Sequence, residues 1–230
     1  MIYLIPSFLS ENALETIPPY VLEAVKDCQV IFAENERTTR RFLKAMDREI
    51  VIDDFEWVGI HKAEEEQINI FRQKIKEGKN IAIVSEAGCP GVADPGQILI
   101  AEAQKMNALI KPLVGPSSIL LALMASGLNG QQFYFHGYLP IDNGERFKKI
   151  KDLEEVSIQK NCTQIFIETP FRNNKIIEAL LQHCQPNTHL CIAAEITAST
   201  EWIKTKTIAE WKNETIDLHK KPVIYLLKGN

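Results

Sequence analysis

Short runs of apolar, often β-branched residues alternate along this chain with longer stretches in which apolar positions recur every three or four residues. Ile2 to Ile5 reads as a first strand, stopped by Pro6. Residues 17–25 read as a helix with Thr16 as its N-cap. Pro18 and Pro19 then fall in the first turn, where a missing N–H costs little. Residues 29–33 are a second strand, followed by a polar segment, 34–39, and a short helix through Lys44. In 64–76, Ile68, Phe71 and Ile75 keep helical spacing; Gly78 closes that helix and 80–84 is a buried strand. A Gly/Pro-rich loop occupies 85–96, before a helix from 97 to about 106 and a strand at 109–114. This βαβα rhythm predicts a parallel sheet covered by helices on both faces.

The second half has a different character. Gly115-Pro116-Ser117-Ser118 makes a turn, and 119–125 is an apolar helix ended by Gly127. Strands are expected at 132–136, 164–168, 190–195, 202–207 and 223–227, with helices at 148–159 and 175–183. The last strands follow one another closely, which predicts a mixed or antiparallel sheet. The expectation is two α/β domains, 1–113 with a parallel sheet and 114–230 with a mixed one. No long linker, internal repeat or low-complexity tract separates them.

Composition narrows the function classes. With 45% hydrophobic and 24% charged residues, the chain is not of the disordered kind. Lys and Arg number 26 against 30 Asp and Glu, a net charge of −4, which argues against non-specific coating of nucleic acid. A local basic face stays open: Arg37, Arg40, Arg41 and Lys44, with Arg146, Lys148, Lys149 and Lys151. No apolar run reaches the roughly 20 residues that span a bilayer, and the start of the chain lacks the basic region of a signal peptide. Five scattered cysteines fit reduced thiols and a cytoplasmic location.

The 85–96 loop is the most informative stretch, since ligands of open α/β sheets bind beyond the carboxyl ends of strands. Glycine allows close backbone approach and proline fixes the loop shape; an ordinary rigid loop is the other reading. Ser117 and Ser118 open a helix with free N–H groups and hydroxyls, either for a ligand or as a simple cap. Glu168 and Arg172 sit beyond a strand end, to orient a polar substrate or to pair with each other. Glu36, Arg37 and Thr39 either face a cleft or begin a solvated helix. His183, Cys184, His189 and Cys191 match no zinc spacing, so no metal is expected. Neither a G-x-G-x-x-G after the first strand, nor a P-loop, nor a G-x-S-x-G elbow is present.

Taken together, these segments resemble the tetrapyrrole methylases, a class III family of S-adenosylmethionine (SAM) methyltransferases. Within it they resemble the group that 2′-O-methylates a cytidine of 16S ribosomal RNA. Ser85-Glu86-Ala87-Gly88-Cys89-Pro90-Gly91-Val92-Ala93-Asp94-Pro95-Gly96 is similar to that group's S-D-A-G-x-P-x-x-x-D-P-G. Val114-Gly115-Pro116-Ser117-Ser118 is similar to its P-G-P-S-A, Glu168-Thr169-Pro170-Phe171-Arg172 to E-S-P-x-R, and Ala193-Ala194-Glu195-Ile196-Thr197 to A-x-E-L-T. Ala122 to Leu128 and Phe133 to Pro140 continue the match in order.

The resemblance implies two α/β domains with SAM in the cleft between them, within a homodimer, and ribosomal RNA or the small subunit as substrate. By position, it implies cofactor contacts at Pro6, Gly88, Cys89, Val92, Ser117, Ser118, Ile167, Ala194 and Pro222. Glu36 and Glu168 are the expected proton acceptors, with Arg37 and Arg172 as anchors for ribose or phosphate. The first loop departs from T-P-I-G-N-L, E-D-T-R becomes Glu34-Asn35-Glu36-Arg37, Ala198 replaces a frequent lysine, and no counterpart of the additional C-terminal segment of longer members is expected. Those departures keep two other readings open, a tetrapyrrole or other acceptor and a non-catalytic SAM-binding module.

Overall fold

The computed structural model describes residues 1–11, 13–60 and 65–230. The chain forms two compact units, Met1–Ser117 and Ser118–Asn230. The first contains β1 (Ile2–Ile5), α1 (Tyr20–Lys26), β2 (Val30–Ala33), α2 (Glu36–Met46), β3 (Glu56–Gly59), α3 (Glu65–Lys76), β4 (Ile81–Val84), α4 (Gln97–Lys105) and β5 (Ile110–Pro112). Its sheet runs β3-β2-β4-β1-β5, and every pairing is parallel.

The central strands are apolar throughout because both faces are covered. Their residues nonetheless alternate between two cores, following the two-residue period of a strand. Ile31, Ala33, Ala82 and Val84 pack with Val21, Val25, Phe42 and Leu43 of α1 and α2. Val30, Phe32, Ile81 and Ile83 pack with Phe71, Leu99 and Ala103 of α3 and α4.

Several local expectations need correction. The first helix begins at Tyr20, not at residue 17, and Thr16 is not its N-cap. Thr16 closes a 3-10 turn, Leu14–Thr16, and its hydroxyl donates to the Ala13 carbonyl at 2.7 Å. Ile17 is extended (φ −103°, ψ 118°) because a residue before proline is pushed out of the α region. The strand β3 was not expected; it is a short edge strand next to Asp53 and Asp54, where acidic neighbours mask the apolar signal. Glu64, expected as the start of the third helix, lies outside the described residues.

The second unit holds α5 (Ser118–Ser126), β6 (Phe133–Tyr138), α6 (Asn143–Lys160), β7 (Thr163–Ile167), α7 (Asn173–His183), β8 (His189–Ala194), β9 (Trp202–Thr207), α8 (Ile208–Trp211) and β10 (Val223–Lys228). The sheet order is β6-β7-β10-β8-β9. Only β6 and β7 are parallel, so the sheet is mixed, as the second-half pattern predicts. Phe166 stacks on Tyr225 with ring centroids 5.5 Å apart, and the buried Trp211 donates its indole N–H to the Leu190 carbonyl at 2.8 Å.

The helix expected from Lys148 starts instead at Asn143, because the Asp142 side chain accepts the Glu145 N–H and caps it there. α8 was not foreseen: Thr207 and Glu210 form a capping box over a single turn. Among the described residues no helix is long and apolar enough to cross a membrane.

Candidate active site

In the first unit, the carboxyl ends of β1, β2 and β4 come together, and the 85–96 loop leaves from β4. Three anchors set its shape. Ser7 and Gly88 exchange backbone hydrogen bonds, 2.9 Å and 3.1 Å, and the Ser7 hydroxyl donates to the Glu86 carbonyl at 3.3 Å. At the end of β2, the Glu34 carboxylate accepts the Glu86 N–H at 2.8 Å. The Asn35 amide donates to the Glu86 carboxylate at 3.3 Å, while its own oxygen caps α2 by accepting from the N–H groups of Arg37 and Thr38. The third anchor is Asp94, whose carboxylate accepts the N–H groups of Gly91 and Gly96, both at 2.8 Å. These bonds fix the backbone in advance of any ligand, which lowers the ordering cost of binding.

Gly88 and Gly91 have φ of +78° and +79°, and even Ala93 has φ +60°. Such conformations turn successive peptide groups in different directions and favour glycine. Gly115 lies against the Pro6 ring, and Pro6 and Gly88 are buried while Val92 is exposed. The half-buried Cys89 points its thiol towards the Pro116 carbonyl at 3.5 Å. Burial, with the Asp94 charge second, pushes this thiol above its ordinary range. Burial likewise raises the Glu34 carboxyl, with Asp94 and Glu86 adding to it against the Glu86 N–H.

Glu36 and Arg37 occupy the exposed first turn of α2. Glu36 accepts from the Arg40 guanidinium at 2.6 Å and 2.8 Å, one helical turn on, and Arg40 also lies over the Trp57 ring at 4.6 Å. Thr39, expected beside them, is instead buried, and its hydroxyl has no hydrogen-bond partner among the described residues.

In the second unit, β7 ends at Ile167 and delivers Glu168 to a buried position. One carboxylate oxygen accepts from the Arg172 guanidinium and from the Thr169 N–H at 2.6 Å; Arg172 also donates to the Thr169 hydroxyl at 3.2 Å. Of the two open readings of this motif, the pair forms. The other Glu168 oxygen is buried and has no partner among the described residues. At the end of β8, Ala194 is buried and paired with Val223, and the Glu195 N–H donates to the Pro222 carbonyl at 2.9 Å. Glu195 and Thr197 both have positive φ, and the Thr197 hydroxyl is a further buried atom without a partner among the described residues.

Ser7, Glu34 and Asp94 were not singled out by residue in the sequence. A Ser, Asp or Glu next to a glycine-rich loop is the signal that could have found them, since such side chains tie down backbone N–H groups. Of the His/Cys group, Cys184 and Cys191 are buried thiols and His183 packs on Phe147. Among the described residues no cluster of His, Cys, Asp and Glu is placed to hold a metal ion.

The model of the family described as tetrapyrrole (corrin/porphyrin) methylases matches residues 13–212. The chain belongs to this family, and it is a SAM-dependent methyltransferase. Within the family it is similar to enzymes named ribosomal RNA small subunit methyltransferase I. The relative from Buchnera aphidicola subsp. Acyrthosiphon pisum is 30% identical over 232 residues, covering 100% of this chain and 79% of the relative. That from Bacillus subtilis is 30% identical over 93% of this chain and 70% of its own, and that from Vibrio cholerae 28% identical over 100% and 77%. Two solved structures share the fold. The methyltransferase CobJ has a TM-score of 0.62 at 18% identity, covering 94% of this chain and 89% of its own. The cobalt precorrin-4 methyltransferase CbiF has a TM-score of 0.63 at 14% identity, covering 99% and 94%.

Proposed function

We propose that the protein transfers a methyl group to a ribose 2′-hydroxyl of small-subunit ribosomal RNA, with residues 1–113 and 114–230 as its two domains. The observation that carries this reading is the match over the whole chain to relatives named for that RNA. In the reading, Pro6, Gly88, Cys89, Val92 and Ser117 in the first unit hold the cofactor, as do Ser118, Ile167, Ala194 and Pro222 in the second. The residues fit such a group. The pre-set peptide groups of the 85–96 loop offer donors and acceptors, and the buried Thr197 hydroxyl has no partner among the described residues. When bound, the cofactor supplies an electrophilic methyl group.

The chain's own residues then position the acceptor and take its proton. The unpaired Glu168 oxygen is an acceptor held in a water-poor position by Arg172, suited to receive a hydrogen bond from a hydroxyl. The Arg172 side chain is partly exposed, and in this reading it anchors a phosphate or ribose oxygen. Arg37 serves as a second anchor. Glu36 is the weaker of the two acceptors, because Arg40 already holds it on the surface. Two copies form the working enzyme in this reading.

The test is transfer from labelled SAM to small ribosomal subunits that lack the modification, followed by mapping of the methylated position. Methylation of a ribose in the RNA supports the reading. Transfer only to a tetrapyrrole, or to no acceptor although SAM binds, overturns it.

A further inference from the structure

In the second unit, the first turns of α6 and the outer stripe of α7 enclose a groove of about 350 Å³. Asn143, Arg146 and Phe147 line it from α6, and Lys175, Glu178 and His183 from α7. Further along the same face of α6 come Ile150, Leu153, Glu154 and Ser157, all buried, with Glu154 accepting from the Gln185 N–H and the Thr188 hydroxyl. Arg146 is thus the cation that this buried face presents at its N-terminal end, beside the groove.

Charge is locally reversed here. Across residues 143–151 and 175–183, the five cations Arg146, Lys148, Lys149, Lys151 and Lys175 stand against two carboxylates, Glu145 and Glu178, in a chain of net charge −4. Arg146 is buried and pre-set: its guanidinium donates to the Ile141 carbonyl at 3.0 Å and to the Asn143 side chain. Those bonds occupy two of its five N–H groups, leaving donors for an anion at little entropic cost. Beside them is a flat apolar surface. Phe147, 40% exposed, packs on His183 with ring centroids 4.3 Å apart.

Cations beside an exposed aromatic face suit a nucleic acid strand whose phosphates meet the charges and whose base stacks on the ring. An acidic peptide would use the charges alone. We propose that this groove binds a single-stranded segment of RNA, as a docking site additional to Glu168 and Arg172. Lys175 stands one helical turn, about 5 Å, along α7 from Arg172 at its N-terminus, so one strand can touch both. The proposal rests on the ribosomal RNA reading above.

The experiment compares wild type with Lys175→Glu and Phe147→Ala, both at exposed positions that leave the core intact. Binding of a labelled single-stranded oligoribonucleotide is followed over a salt titration, beside methyl transfer to unmethylated small subunits and SAM binding. Lys175→Glu should weaken RNA binding and flatten the salt slope by about 0.7 for each phosphate that is no longer neutralised. Phe147→Ala should weaken binding about fivefold or more with the slope unchanged, since stacking releases no counterions. SAM affinity should not move in either variant. Transfer by the wild type together with unaltered RNA binding by both variants overturns the groove and leaves the ribosomal RNA reading standing. Loss of binding to intact subunits but not to the free RNA makes the partner a ribosomal protein and likewise overturns it. A wild type that neither binds nor methylates RNA overturns the ribosomal RNA reading, and the groove with it.

Discussion

Gly115 and Pro6 are in direct contact across the carboxyl end of the first sheet: a Cβ on Gly115 would stand 2.1 Å from the Pro6 Cβ and 2.5 Å from its Cγ. The space between β1 and the loop after β5 is thus full before any ligand arrives. Gly115→Ala should cost about 1–3 kcal/mol, the range for overpacking, and should weaken SAM binding by displacing Pro6. Adding Pro6→Gly removes the obstructing ring and should recover part of the stability. Thermal unfolding of the single and double variants checks both statements.

Gly88→Val meets two obstacles, a positive φ and contacts of 3.3 Å to the Leu9 side chain and 3.5 Å to the Pro116 carbonyl. Strain of this kind costs of order 1–3 kcal/mol, which a two-core domain can absorb. Far-ultraviolet circular dichroism should therefore stay native while SAM affinity falls by tenfold or more in calorimetry. Unchanged affinity would remove Gly88 from the site.

Cysteine labelling offers a probe that needs no mutation. Cys28, Cys162, Cys184 and Cys191 are buried, and burial pushes the thiols of Cys28 and Cys184 up to about 12. Only the partly exposed Cys89 should react with a maleimide in the native protein, and slowly, since its thiol is also raised. SAM should slow that reaction further. Mass spectrometry of the labelled protein identifies the site, and labelling of Cys89 at the same rate with and without SAM would place the cofactor elsewhere.

The raised carboxyl of Glu34 makes the first unit sensitive to pH. Burial favours its protonated form, so the native state holds this proton to higher pH than the unfolded chain, whose ordinary value is 4.5. Glu34 is without penalty well below pH 4.5 and costs stability as pH rises above it. Glu34→Gln keeps an oxygen for the Glu86 N–H without the charge. The variant should gain stability relative to wild type between pH 5 and 8 in urea unfolding, and the gain should vanish near pH 3.

Removing Arg172 leaves a buried carboxylate with the Thr169 N–H alone. Arg172→Ala should destabilise the second unit by about 3 kcal/mol, the low end for breaking a buried pair, because the arginine side chain is 23% exposed. Adding Glu168→Gln should restore much of the loss, as no charge is then stranded. The urea midpoints of the two variants decide whether the pair acts as a unit.

Most strands and helices could be read from hydrophobic period, because β2 and β4 are buried on both faces and helices such as α3 carry a clear stripe. What escaped was local. Glu56–Gly59 is an edge strand with one acidic neighbour after another, and Ile208–Trp211 is a single turn made by its capping box rather than by periodicity. α1 starts at Tyr20 rather than at Ile17 because Pro18 constrains the residue before it more than Pro19 favours a helix. At the site, glycines and prolines marked the loop, but which side chains pin it depends on strands brought together from residues 7, 34 and 86. No spacing along the chain reveals that Glu34 reaches the N–H of Glu86.

The position of β10 within the second sheet carries a consequence for synthesis. Residues 223–228 form the middle strand, between β7 and β8, rather than an edge. During translation β7 and β8 therefore emerge without the neighbour that joins them, each with an open row of backbone groups on its inner side. Closure must wait until residue 228 has left the ribosomal tunnel, and the first unit, complete by residue 117, can fold well ahead of it. The nascent chain thus spends the making of about a hundred residues as a folded head with an unfinished partner. Through that interval, chaperone binding should fall on β7 and β8.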